Sequence, residues 1–337
     1  MRLIKWIVIL AVIVVAGWSG WWYLGATGQE KGVAAWLENQ RDRGWQAEAE
    51  DVSVTGYPFD FNLVARKIAL ADPRAGWAWT APELRADSTA DTPTRIAISW
   101  PTEQTAAVPG DRVSITAEKM ETLLDVRPGA SMELRQAASE VAALRLNAQT
   151  GWKAVAESLS IDLVERGDDI GPENSYALDV DAQKVVLPKE IVAQIDPTGW
   201  LQPKIDRVTI IGHGAFDAPL DRTVIEDGVA ILRAATIREA GFQWGDMRLV
   251  VRGAFEVDPN GFPDGEIEVE AGQWREMMRL LIRSGVLDVS TAEAITQGIE
   301  FLTGGGDELK ATFGLKGGKV RLGPFAIADA PRIAPPM

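Results

Sequence analysis

Glu266-Ile267-Glu268-Val269-Glu270-Ala271 alternates charged and apolar residues without a break. In an extended chain successive side chains point to opposite faces, so this hexapeptide has one wet face and one dry face. In a helix, residues two apart lie about 200° from each other, and the same pattern would bury nothing coherent. The period of two recurs in Arg112–Ala117, Tyr176–Asp181, Met247–Val251 and Leu309–Leu315. From residue 50 onward it predicts about a dozen strands. Turn-forming clusters separate them, among them Asp72-Pro73-Arg74-Ala75-Gly76 and Asp258-Pro259-Asn260-Gly261. The expected class is mainly β (α+β): a large curved antiparallel sheet, or two β-rich lobes, with a few packed helices.

Helical spacing interrupts this pattern in few places. Pro188–Ile195 predicts a short helix. Over Gln273–Ser284, Trp274, Met277, Met278, Leu281 and Ile282 share one face, and Gly285 stops the run. Ser290-Thr291-Ala292-Glu293 then has the form of a capping box, Ile295, Ile299 and Leu302 continue at helical spacing, and Gly304-Gly305-Gly306 terminates them. A helical hairpin is therefore expected over 273–303.

The N-terminus has another character. Arg2 and Lys5 precede Trp6–Leu24, 19 residues without a charge. As a helix that run is roughly 28 Å long, against about 30 Å for a bilayer's hydrocarbon core. Trp6, Ile9 and Ile13 lie along it. Trp18, Trp21, Trp22 and Tyr23 cluster at its far end, where an aromatic belt would sit. The positive residues predict a cytoplasmic N-terminus and export of the rest: a single-pass, uncleaved anchor in a bacterial-type inner membrane, contacting the bilayer through residues 6–24. The alternative is a signal peptide cleaved near the small residues Gly25-Ala26-Thr27-Gly28. Residues 29–43, with Val33, Trp36, Leu37 and Gln40 at helical spacing before Gly44, predict a second, amphipathic helix, lying near the membrane surface or packed on the sheet.

The expected organisation is residues 1–25 as cytoplasmic tip and signal-anchor, 26–170 as an N-terminal β-rich lobe, and 171–337 as a C-terminal one. The polar stretch Arg166–Asn174 serves as boundary between the lobes, or else as a long hairpin loop. Gly76-Trp77-Ala78-Trp79 and Gly241-Phe242-Gln243-Trp244 echo each other at what read as two strand openings, which a duplication or the habits of strand-rich chains would produce alike.

Arg2 and Lys5 are the only charges before residue 25, so beyond it 32 Lys and Arg face 48 Asp and Glu, a net charge of −16. That acidity argues against nucleic acid as a partner. Cysteine is absent, which removes disulfides, thiol catalysis and cysteine metal sites. The single histidine, His213, lies in Ile211-Gly212-His213-Gly214 without a Gly-x-Ser-x-Gly elbow; the glycines suggest a turn or bulge. Gly212-x-Gly214 is followed by Asp217 where a dinucleotide fingerprint needs its third glycine. Asp258–Glu266 looks like a calcium loop until Phe262 and Val269 fill two ligand positions, and strand-joining turn chemistry accounts for the same residues. Asp168 and Asp169 read as a solvated turn. No catalytic, cofactor or metal residue is assigned.

Nine of the 13 tryptophans lie beyond the anchor: Trp36, Trp45, Trp77, Trp79, Trp100, Trp152, Trp200, Trp244 and Trp274. Core filling is one reading. The other is the wall of an apolar groove, with Trp77, Trp79, Trp244 and Trp274 as candidate lining.

Gly56-Tyr57-Pro58-Phe59-Asp60-Phe61, Trp77-x-Trp79-x-Ala81-Pro82, Asp258-x-x-Gly261-x-Pro263-x-Gly265 with the helical hairpin after it, and Gly317-Gly318-Lys319-Val320-Arg321-Leu322-Gly323-Pro324 together resemble a family of membrane-anchored bacterial proteins known as domain of unknown function 2125. The resemblance spans nearly the whole chain and implies no established activity. More distantly, an anchor followed by many amphipathic strands looks like the AsmA-like envelope proteins, which implies a link to lipid movement. The leading expectation is a non-enzymatic periplasmic protein whose apolar groove takes lipid acyl chains. A scaffold that binds other envelope proteins is the alternative, and a carboxylate-dependent hydrolase is a third.

Overall fold

The computed structural model describes all residues except 1, 167–171, 197–198, 200, 228–229, 286–292, 294, 298, 301–305 and 336–337, with backbone alone at 2–4, 8 and 225–227. The chain is mainly antiparallel β and divides into two compact units. One comprises Met1–Asp125 with Asn147–Thr150, the other Val126–Leu146 with Gly151–Met337.

The first unit opens with a 41-residue helix, α1 (Arg2–Asp42). The expected anchor and amphipathic helix are thus one continuous rod. Gly25 and Gly28 do not break it because both keep helical backbone and no proline follows. The stop comes at Gly44, whose φ of +91° reverses the chain as expected. By length and composition α1 is able to cross a membrane, and none of its apolar window is buried within the protein.

Strands β1 (Gln46–Glu48), β2 (Asp51–Thr55), β3 (Asp60–Asp72), β4 (Trp77–Thr89), β5 (Arg95–Ser99), β6 (Glu103–Val108), β7 (Asp111–Thr116) and β8 (Lys119–Val126) follow. The long pair β3–β4 is the spine. Strand β1 pairs with the Ala69–Ala71 end of β3 and β2 with its Asn62–Arg66 stretch. On the other side, β6 pairs with β4 near Trp79 and β5 near Ala86. The β3–β4 turn forms as its sequence dictates: Asp72 Oδ1 accepts from the backbone N–H groups of Arg74 and Ala75 at 2.9 and 3.3 Å.

The second unit contains β9 (Leu134–Ala148), β10 (Lys153–Arg166), β11 (Ser175–Val186), α2 (Lys189–Ile195), β12 (Lys204–Phe216), α3 (Arg222–Asp227), β13 (Leu232–Trp244), β14 (Met247–Val257), β15 (Pro263–Gly272), α4 (Trp274–Arg283), β16 (Glu308–Lys316), β17 (Lys319–Leu322) and β18 (Phe325–Asp329). From β10 to β18 each strand pairs antiparallel with the next, so the unit is a meander in chain order. Strands β10 and β11 pair from Val155↔Val186 to Arg166↔Ser175, so the boundary expected near residue 170 falls inside one hairpin. Residues 167–171 themselves, Asp168 and Asp169 included, lie outside the described residues.

The eighteen strands among the described residues exceed the dozen expected, because several carry no clean alternation; β4, for example, reads Trp-Ala-Trp-Thr-Ala-Pro-Glu-Leu. The glycines beside His213 mark a bulge, with a register shift between Ile211 and Gly212 in β12. Gly253 in β14 has φ +150°, and a Cβ there would lie 2.2 Å from the Glu266 carbonyl, so the neighbouring strand crosses at a distance only glycine permits. The Trp77 and Trp244 echoes are not equivalent: Trp77 opens β4 while Trp244 closes β13. Helices α2 and α4 form where expected. Of the second hairpin helix, residues 293, 295–297 and 299–300 are helical, while 290–292, Leu302, Gly304 and Gly305 lie outside the described residues.

Candidate functional site

The register of the second unit sorts its side chains into two faces. Ile161, Val180, Ile210, Ala240, Val251, Val269 and Ala311 stand opposite one another in sequence across seven strands. A second row runs Leu159, Ala182, Val208, Phe242, Leu249, Ala271, Leu309, and a third Leu163, Leu178, Gly212, Ile237, Gly253, Ile267, Phe313. Three rows without a charge make one continuous apolar face. At about 4.8 Å per strand it is roughly 29 Å across.

That face is covered unevenly. At the β16 end, Trp274 and Met278 of α4 pack with Ile299, Leu309, Ala311 and Phe313 into a closed core. Beside it, Val192 of α2, Leu201, Trp244, Met247 and Leu280 form a second cluster against Phe242 and Ile205. Towards β10 the cover ends. Ala311 is 7% exposed, whereas Ile210 is 41% and Ile161 37% exposed in the same row. The apolar face is therefore a floor that is roofed at one end and open at the other.

The opposite face is charged. Glu270 accepts from Lys310 Nζ at 2.8 Å and Arg252 Nη1 at 3.0 Å, and Lys310 also pairs with Glu268. These cations, Lys310 first and then Arg252, hold the Glu270 carboxyl down at about 2. His213 lies on this charged face, in an open trough of about 430 Å³ with Ser175, Thr236, Glu256 and Asp264. The Ser175 hydroxyl there donates to the Pro172 carbonyl at 2.6 Å, which commits it structurally. Asp258 accepts from the N–H groups of Asn260 and Phe262 at 2.8 and 2.9 Å, as a turn residue does. Two acidic residues are buried among those described. Asp125 meets Arg95, and Asp196 accepts from Leu201 N–H at 2.7 Å beside Arg283.

The four tryptophans named as candidate lining are divided. Trp77 and Trp79 belong to the first unit, where Trp77 meets Trp45 edge-on at 5.1 Å and Trp79 donates to Gln104 Oε1 at 2.9 Å. Trp244 and Trp274 belong to the second, each in a different core cluster, donating to the carbonyls of Gln202 and Gly306. The open part of the apolar face is floored instead by aliphatic residues. Their signal in the sequence was the alternation itself, read strand by strand and never summed across the sheet. Trp200 lies outside the described residues.

Along α1, Trp6, Ile9, Ile13, Trp21 and Tyr23 are exposed, as lipid-facing residues would be. Trp18 and Trp22 have a second task that the belt reading missed. Trp18 Nε1 donates to the Pro58 carbonyl at 2.7 Å, Trp22 Nε1 to the Asp60 carbonyl at 2.8 Å, and Ser19 Oγ bonds Tyr57 Oη at 2.8 Å. Trp22 stacks on Phe61 at 5.8 Å and meets Tyr57 edge-on at 5.4 Å. The segment Gly56–Phe61 is thus the tip of the β2–β3 hairpin, docked on the aromatic end of the helix.

Residues 22–331 match the model of a family described as uncharacterized protein conserved in bacteria, DUF2125. The chain belongs to this family. The match takes in the docked hairpin, the apolar floor and both helices that roof it, while most of the apolar run of α1 precedes it. No curated protein and no solved structure matches the chain, so the AsmA-like comparison gains no support from either.

Proposed function

We propose that the protein is a non-enzymatic lipid-binding component of the cell envelope, anchored by α1 in the inner membrane with both β units on the periplasmic side. One observation carries this reading: the apolar floor of the second unit, closed at Ala311 and open at Ile210 and Ile161. An exposed apolar surface of this extent is unfavourable in water and marks a binding site. Acyl chains suit it because the open part of its three rows is aliphatic and bears no polar group to orient a hydrophilic ligand. The Arg2 and Lys5 charges support the cytoplasmic N-terminus.

The test uses the full chain in vesicles that contain a phospholipid with a photoactivatable acyl chain. After illumination, lipid-bearing peptides are mapped by mass spectrometry. Adducts on β10–β13 are expected in addition to those on α1. Adducts confined to α1 would reject acyl-chain binding, and a stoichiometric protein crosslinked at Ile210 in whole membranes would favour a scaffold instead.

A further inference from the structure

The depth at which the β2–β3 hairpin docks on α1 has a consequence for the membrane. Lys5 and Trp18 are 13 residues apart, a rise of about 20 Å along the helix. With Lys5 at one edge of a hydrocarbon core about 30 Å thick, Trp18 lies about 10 Å short of the other edge. If the Lys5 side chain reaches outward to the interface, the gap shrinks but does not close. Pro58 is fixed to Trp18 by a 2.7 Å hydrogen bond, so it shares that depth.

We propose that the hairpin tip, Tyr57-Pro58-Phe59, is immersed in the far leaflet of the bilayer that α1 crosses, so that the protein enters its membrane with a β-turn as well as a helix. The proposal rests on the spanning role of α1. Three observations point to lipid as the surroundings of the tip. Phe59 is 67% and Tyr57 55% exposed, where water would disfavour both. Part of the tip's backbone is already paired, which an apolar medium favours because every unpaired polar group there is costly. The carbonyl of Gly56 accepts from Phe59 and Asp60 N–H, that of Phe59 from Ala90 N–H, and those of Pro58 and Asp60 from the two indoles. Proline brings no N–H of its own, and the Tyr57 hydroxyl is paired with Ser19. Charge reappears close to the aqueous edge: Asp60 lies level with Trp22, about 6 Å above Trp18 and about 4 Å short of that edge. The indole N–H groups of an aromatic belt ordinarily face headgroups and water. Here two of them are spent on the hairpin, which lets its backbone go below that level.

The absence of native cysteine allows single-site labelling of the full chain. Three variants, Phe59→Cys, Val15→Cys in the apolar run and Ala75→Cys in the β3–β4 turn, each carry an environment-sensitive NBD fluorophore. They are reconstituted into phosphatidylethanolamine–phosphatidylglycerol vesicles with nitroxides either on the acyl chains or on the headgroups. The label at Phe59 is expected to emit at blue-shifted wavelength and to lose most of its intensity to acyl-chain nitroxides, as the label at Val15 does, while the label at Ala75 is quenched by neither. Quenching at Val15 without quenching at Phe59 would overturn the immersed tip and leave the anchor standing. Quenching at neither would overturn both. Phe59 is exposed and outside every core cluster, so its replacement leaves folding intact; an unchanged far-ultraviolet circular dichroism spectrum checks this.

Discussion

Gly25 of α1 sits so close to Phe61 of β3 that a Cβ at residue 25 would lie 2.6 Å from Phe61 Cζ. Phe61 is 1% exposed, with Ala26, Val54 and Ala90 around it, so the ring has little room to withdraw. Gly28, one turn on, meets nothing within 4 Å. The two glycines therefore differ in what alanine would do. At Gly28 the gain is helix propensity, about 0.8–1 kcal/mol. At Gly25 the same gain is set against overpacking of about 1–3 kcal/mol. Gly28→Ala is expected to raise the thermal midpoint of the detergent-solubilised chain and Gly25→Ala to lower it. Equal shifts would mean that Phe61 is not held against the helix.

Removal of the ring makes the complementary case. Phe61→Ala should destabilise the first unit by about 3–5 kcal/mol, the usual cost of deleting a buried phenylalanine. Because Trp22 stacks on Phe61, the loss should also appear as a red shift in tryptophan emission from the docked end of α1. Denaturant titration followed by fluorescence measures both, and an unaltered emission maximum would show that Trp22 has kept its surroundings.

How much of this was legible beforehand follows from the range of each interaction. Period, charge and turn chemistry are local, so β15, β16, α4 and the Gly44 stop were read directly from their own residues. The apolar floor is local in each strand and non-local in its extent: Ile161 and Ala311 belong to one row only through six pairings, none of which the alternation reports. Helix α1 was divided near Gly25 because the apolar run and the amphipathic run differ in character, whereas Gly25 itself serves to admit Phe61 from 36 positions away. The candidate tryptophans were open for the same reason, since Trp274 in a groove wall and Trp274 in a closed core look identical in sequence.

Trp274 shows the difference as energy. It is 2% exposed, with Phe313 and Leu309 in the same core. Trp274→Ala should cost about 3–5 kcal/mol by cavity formation. Trp77, half-buried and edge-on to Trp45, should cost less than half as much when truncated. Chemical denaturation of the two variants ranks them, and comparable losses would contradict the core assignment of Trp274.

The charged face offers a pH test. The folded-state pKa of Glu270, about 2, lies below its unfolded value near 4.5. The folded protein therefore binds this proton more weakly than the unfolded chain. The stabilisation is complete above about pH 4.5 and is lost as the pH falls through the folded value. Glu270→Gln removes this ionisation. The wild type should exceed the variant in thermal midpoint at pH 6, and the gap should narrow steadily between pH 5 and 2. The carboxylate is solvent-exposed, so added salt should shrink the gap as well. A gap independent of pH would mean that Lys310 and Arg252 do not hold this carboxylate in solution.

The apolar floor makes the last distinction, between a surface that serves folding and one that serves binding. Ile210 and Ala311 share a row, yet they differ in cover: 41% against 7% exposed. A charge at Ala311 would be buried under α4 among Phe313 and Trp274, at a cost of several kcal/mol. A charge at Ile210 keeps access to water and should leave the stability within about 0.5 kcal/mol of wild type, as surface substitutions usually do. Ala311→Asp is therefore expected to yield aggregated or degraded chain. Ile210→Asp should yield a folded protein that has lost most of its photolabelling by acyl chains on β10–β13 while retaining the labelling on α1. If Ile210→Asp folds and labels like the wild type, the open end of the floor has no part in lipid binding.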